Sequence, residues 1–142
     1  MTIIPMPRFK LLPHTADIRL KIYGSDLEEL FKNAAAGLAH ILCKNADKLG
    51  RKARGHKKIS ISSENAGTLL ADFLNRILSE SNITKQVFPR VKMLYVGPQS
   101  AEAQLMGVHV DHFDEDIKAV SYHNAEIREV GSRLEAELVL DI

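Results

Sequence analysis

The chain has 142 residues, 45% of them hydrophobic and 26% charged, with 19 basic against 18 acidic side chains and a net charge of +1. That length suits one domain able to bury a core without a staple, and the single cysteine, Cys43, excludes an intrachain disulfide and a cysteine-rich zinc site. The near-neutral balance argues against bulk electrostatic attraction to nucleic acid, and the longest apolar-looking stretch, Ala34 to Cys43, falls short of the ~20 residues of a membrane span.

The opening residues do not read as a secretory signal, because Pro5 and Pro7 interrupt a short apolar run. With no disulfide framework and no export signal, the cytoplasm is the expected location. Phe9 to Leu12 reads as a strand stopped by Pro13. Ile18, Leu20 and Ile22 alternate with Arg19, Lys21 and Tyr23 as in a half-buried strand, which Gly24 ends. Ser25 is the expected N-cap of a helix, with Glu28 completing a capping box. Leu27, Leu30, Phe31, Ala34, Leu38 and Ile41 give that helix one apolar stripe, to about Cys43.

From Lys44 to Lys58 the chain turns basic and reads as a loop. Ile59 to Ser62 follows as a strand, and Glu64 to Ser81 as a second helix with Leu69, Leu70, Phe73, Leu74, Ile77 and Leu78 on one face. The remainder reads as strands at Val87–Val96, Glu102–Val110, Ile117–Ile127 and Arg133–Leu140. Pro89 should confine the first of these to an edge or a bulge. The expected fold is a single α+β domain over residues 1–142, with two amphipathic helices on a largely antiparallel structure of about seven strands. Each helix, having one stripe, should cover one sheet face.

Several polar groups invite a chemical reading. His14, Thr15 and Asp17 fall in a turn before a strand, where metal binding or proton transfer competes with ordinary turn hydrogen bonding. The segment 107–116 holds His109, Asp111, His112, Asp114 and Asp116, yet fits neither a zincin helix nor a calcium loop and reads as a solvated connection. The run Lys44–Lys58 lacks an aromatic on which a base could stack, so it reads as a solvated loop. Cys43 reads as a buried structural thiol. The strand-like run Leu138–Ile142 would place the Asp141 side chain beside the main-chain carboxylate of Ile142. Lys118 lies in an alternating strand, Ile117 to His123, where an exposed lysine is ordinary. No phosphate-cradling glycine pattern and no nucleophile elbow appears.

Taken together and in order, His14-Thr-Ala-Asp17, Leu27-Glu-Glu-Leu-Phe31, Asn33-Ala-Ala35, Phe73-Leu-Asn75, Ile117-Lys-Ala-Val-Ser-Tyr-His123 and Leu140-Asp-Ile142 resemble the archease family. Phe73 and Ser121 depart from the tryptophan and threonine common there. The resemblance implies a non-catalytic accessory protein that promotes guanylylation and multiple turnover of an RtcB-type GTP-dependent RNA ligase in tRNA splicing. It implies a metal pocket formed by Asp17, Asp141 and the main-chain oxygens of Ile142. Such all-oxygen donors suit Ca2+, with Mg2+ or another hard divalent cation as alternatives. Lys118 matches a position the family uses, so Asp17, Lys118 and Asp141 are the expected partner-activating set. A chaperone-like partner of a tRNA methyltransferase is the alternative role, and RNA contact is expected to be at most indirect. A self-sufficient metal-dependent hydrolase and a plain RNA-binding module are further readings, the first lacking an evident nucleophile.

Overall fold

The alternating run Ile18–Ile22 lies at the heart of a strand, Asp17–Gly24 (β2), flanked by β1 (Phe9–Leu12) and by the last strand, β8 (Arg133–Asp141). The computed structural model describes residues 7–12 and 17–142. Two short strands, β6 (Ala119–Val120) and β7 (Ile127–Val130), pair with different parts of the other edge of β8 and complete a five-stranded sheet. A second sheet has the order β3-β5-β4, from Arg54–Ser62, Ser100–His109 and Gln86–Val96. All pairings are antiparallel, as the short connections required. The β7–β8 hairpin turns through Gly131, whose φ of 64° suits a residue without a Cβ.

Both long helices touch both sheets: α1 (Leu27–Leu42) packs on β2 and β4, and α3 (Ala66–Thr84) on β3, β4, β5 and β6. The expected packing of each helix on sheet is present, and each helix spans both sheets. Small residues widen the stripe, because Ala34, Ala35, Gly37 and Ala39 on α1 are buried as well as its leucines. One continuous core results, from Leu20 and Leu138 through Phe31, Leu38, Phe73 and Leu74 to Ile59 and Leu105. Phe31 and Phe73 meet at 5.2 Å between ring centroids and join the helices. Each such large side chain contributes about 1.5–3 kcal/mol of burial.

The helix starts differ slightly from expectation. Asp26, not Ser25, caps α1: its carboxylate accepts from the Glu29 amide at 2.8 Å, and Glu29 reaches back to the Ser25 amide. The capping-box chemistry is therefore present one residue later. Asn65 caps α3 by accepting from the Thr68 amide at 2.9 Å.

The basic run is only partly a loop. It forms α2 (Ala46–Leu49) and a 3-10 turn (Gly50–Lys52), and its last residues begin β3, whose ladder with β5 runs from Arg54 to Ser62. The expected strand Ile117–Ile127 breaks into β6 and β7 around a connection in which Asn124 has a φ of 59°. The expected alternation also fails there, since Ile117 and Val120 are both buried. Among the described residues there are eight strands, close to the expected seven. Pro89 behaves as expected: β4 is an edge strand, and its register with β5 shifts between Val87 and Arg90.

Candidate functional site

Antiparallel pairing of β2 with β8 places Asp17 directly opposite Asp141, 124 residues away in sequence. The period of two fixes what each face carries. Ile18, Leu20 and Ile22 face the core with Leu140, Leu138 and Ala136, so Asp17 and Asp141 share the outer face. Side chains opposite one another on such a ladder stand about 4.5–5.5 Å apart at Cβ, where like charges oppose folding. Asp17 is half-buried, with Oδ1 shielded from solvent, whereas Asp141 is exposed.

β6 closes the site from the other side of β8. Ala119 is opposite Asp141, and the Lys118 amide donates to the Asp141 carbonyl at 2.8 Å. The Lys118 side chain itself is exposed. A two-residue strand has little pairing energy of its own, and α3 supplies the rest through Asn75. The Asn75 side-chain amide donates to the Val120 carbonyl at 2.9 Å, and its Oδ1 accepts from the Val120 amide at 2.8 Å. One side chain thus bonds to β6 as a neighbouring strand would.

Asp72, one turn earlier on α3, accepts from the Ser63 hydroxyl and from Tyr122 Oη, the latter at 2.5 Å. The hydrogen bond to Asp72, then partial burial and the Asp72 charge, raise the Tyr122 hydroxyl above the ordinary phenol value, with Asn75 acting in the opposite sense. Close packing holds the same connection: a Cβ on Gly67 would collide with the Ala125 carbonyl oxygen. Asn75 and Asp72 are the residues that sequence reasoning missed. Asn75 stood in a family-like motif, but nothing in its spacing pointed to Val120.

Farther along the same outer face, charges alternate in sign. Lys21 is opposite Glu137, Arg19 reaches Glu137 at 2.5 Å, and Lys21 lies 3.8 Å from Glu135.

The remaining sequence candidates stand apart from Asp17 and Asp141. His14 and Thr15 lie outside the described residues. In the segment 107–116, Asp114 accepts from the Lys44 amide at 2.8 Å and its own amide donates to the Leu42 carbonyl, so this segment docks on the end of α1. His109 and His112 approach Asp111 and Asp114 only at 3.9 and 4.0 Å, with both imidazoles exposed. Cys43 is half-buried at the C-cap of α1.

Among the described residues, no group of three or more His, Cys, Asp or Glu side chains is placed to hold a metal ion. A cation between Asp17 and Asp141 would therefore need main-chain oxygens as well. The donors that the family resemblance implies are the two carboxylates and the main-chain oxygens of Ile142, a half-exposed residue. These donors are all hard oxygens, a set that fits Ca2+ or Mg2+ and not a soft ion.

The fold is that of a small α+β domain in which the helices pack on two antiparallel sheets. The family model for the archease protein family matches residues 9–142, and the chain belongs to that family. The protein named archease of Methanosarcina barkeri is 31% identical over 143 residues, covering 95% of this chain and 96% of its own. That of Pyrococcus furiosus is 30% identical, covering 96% of this chain and all of its own. The solution structure of protein 1598 from Methanobacterium thermoautotrophicum superposes with a TM-score of 0.78 at 27% identity, covering 96% of this chain and all of that one. The crystal structure of a Thermotoga maritima archease, described as a possible chaperone, shares the fold with a TM-score of 0.52 at 19% identity and full coverage of both chains. No helix among the described residues is long and apolar enough to cross a membrane.

Proposed function

We propose that this chain is a non-catalytic accessory protein of an RtcB-type GTP-dependent RNA ligase, promoting guanylylation and repeated turnover in tRNA splicing through a metal held at Asp17, Asp141 and the main-chain oxygens of Ile142. The observation that carries this reading is the direct cross-strand pairing of Asp17 with Asp141. Two carboxylates opposed across such a ladder, one of them exposed, repel by about 1 kcal/mol. A register that sets two carboxylates face to face therefore favours a cation between them. When bound, such an ion supplies charge neutralisation near transferring phosphoryl groups. The protein's own part is to hold Asp17 on β2 and Asp141 on β8 in fixed register, with the Lys118 amide tying the start of β6 to the Asp141 carbonyl and its exposed side chain available to the partner. Family membership and the order of the family-like motifs support the same reading.

The test is multiple-turnover ligation by a cognate ligase at substoichiometric amounts of this protein. Stimulation is expected, and it should disappear in Asp17→Ala and in Asp141→Ala, with folding checked by circular dichroism. Full stimulation by either variant would overturn the metal-centred reading. A second reading, a chaperone-like partner of a tRNA methyltransferase, draws support from the description of the Thermotoga maritima structure as a possible chaperone. It predicts partner binding that survives loss of Asp17.

A further inference from the structure

The second sheet is electrostatically unlike the rest of the molecule. Its three strands and the 3-10 turn that precedes them carry seven lysines and arginines against one carboxylate, Glu102. That part alone has a net charge of +6, so the chain total of +1 leaves −5 for all other residues together. The near-neutral composition thus conceals a strongly basic pole.

The ladder shows where the cations stand. Ile59, Ala103 and Met93 form a cross-strand row on the core side, so the next row, Lys58, Gln104 and Lys92, lies on the outer side. Arg90 pairs with Met106 in the following outer row, and Tyr95 pairs with Glu102 in the preceding one. Lys58, Arg90, Lys92 and Tyr95 are exposed, Tyr95 to 54%. Strands are about 4.8 Å apart, which puts Lys58 and Lys92 about 10 Å from one another across Gln104. That distance is comparable with the screening length at physiological salt, so their potentials reinforce. The one carboxylate on the strands themselves, Glu102, lies 3.8 Å from Lys58 at the β3 side, and Asp26 and Glu28 share a pocket with Leu94 and Tyr95 at the far end of β4. The 3-10 turn adds Arg51 and Lys52 close by, since Gly50 packs against Pro89 and Arg90.

We infer that the outer face of β3-β5-β4 binds a single-stranded nucleic acid directly, its phosphates on Lys58, Arg90 and Lys92 and a base on Tyr95. Charge complementarity argues for this occupant. A protein partner would call for an apolar interface centre depleted of lysine, whereas here the centre is Gln104 between two lysines. Cations on successive outer rows, with register shifts in β4 on either side of Arg90–Met93, suit a repeating phosphate backbone, which is bound without base information. The basic run of the sequence has no aromatic of its own. The fold supplies one from β4, on the same face as the cations, and an exposed aromatic is what single-strand binding requires. This inference stands independently of the ligase reading and of the metal.

The experiment is fluorescence anisotropy with a short labelled single-stranded RNA, the corresponding DNA and labelled polyglutamate, on the full chain without added divalent ion. Three to four phosphate contacts predict a loss of about 20- to 50-fold in affinity between 50 and 200 mM salt. The Lys58→Glu, Arg90→Glu, Lys92→Glu triple variant should abolish binding, and Tyr95→Ala should weaken it about 10-fold. A single reversal away from the face, Lys32→Glu on α1, should leave it unchanged. All these side chains are exposed, and circular dichroism checks that the variants fold. Unchanged RNA binding in the triple variant, no binding by the parent chain, or polyglutamate bound as tightly as RNA would each overturn the inference. The last result would reassign the face to an acidic protein.

Discussion

In the middle of the β2–β8 ladder Lys21 faces Glu137 and Arg19 reaches Glu137 at 2.5 Å, whereas at one end Asp17 faces Asp141. The backbone is the same regular ladder throughout, and so is the core behind it, Leu20 and Leu138 in one place and Ile18 and Leu140 in the other. Only the outer face changes. The first arrangement adds a little stability, because pairs with about a third of each side chain exposed contribute no more than about 1 kcal/mol. The second opposes folding by a comparable amount. The ladder thus compensates charge along its middle and concentrates like charge at its Asp17–Asp141 end, where the metal is proposed.

The largest effect that would test this contrast is metal-linked. Calcium at about 100 times its dissociation constant should stabilise the parent chain by about 2.7 kcal/mol, read as a shift in urea midpoint. Asp17→Asn should show no calcium-dependent shift, and an equal shift in both would remove the ion from this site. Next comes the support for β6. Asn75→Leu leaves the Val120 amide and carbonyl without their partner, and should cost about 2 kcal/mol in urea unfolding. It should also accelerate hydrogen exchange at the Val120 amide while leaving exchange at Leu20 slow.

A smaller and more diagnostic effect compares the two parts of the ladder directly. Without divalent ion, Asp141→Asn should stabilise by up to about 1 kcal/mol, and Glu137→Gln should destabilise by a similar amount. Equal signs for the two variants would break the comparison. The smallest effect concerns Tyr122. Its raised ionisation means that the folded chain holds this proton more tightly than the unfolded chain, so the associated stability is present below pH 10 and is lost as pH rises beyond it. Tyr122→Phe should flatten that alkaline decline in a denaturation series.

Much of the fold was legible because its signals are local. Ile18–Ile22 alternates cleanly, α1 has its apolar repeat and acidic first turn, and Pro89 foretold an edge strand with a bulge. The errors have local causes too. Ser25 and Asp26 are both capable caps, and only the geometry of Glu29 decides between them. Lys57 and Lys58 disguised the first half of β3, because an edge strand tolerates charge. The 117–127 segment looked like one strand because nothing in its composition announces the left-handed Asn124. The candidate site was the least legible part. Asp17 and Asp141 each stand out in the sequence, but only the family resemblance joins them, and their register partnership is a property of the sheet. The Asn75 contact with Val120 spans 45 residues and leaves no periodic trace.

That contact also bears on how the molecule stays apart from its neighbours. β6 ends the strand order of its sheet, and an end strand normally offers bare amides and carbonyls to any extended chain that passes. In Val120 both outward groups are already taken by Asn75. The sheet is thereby finished by a side chain at this point, and a foreign strand seeking to extend it would first have to displace the amide.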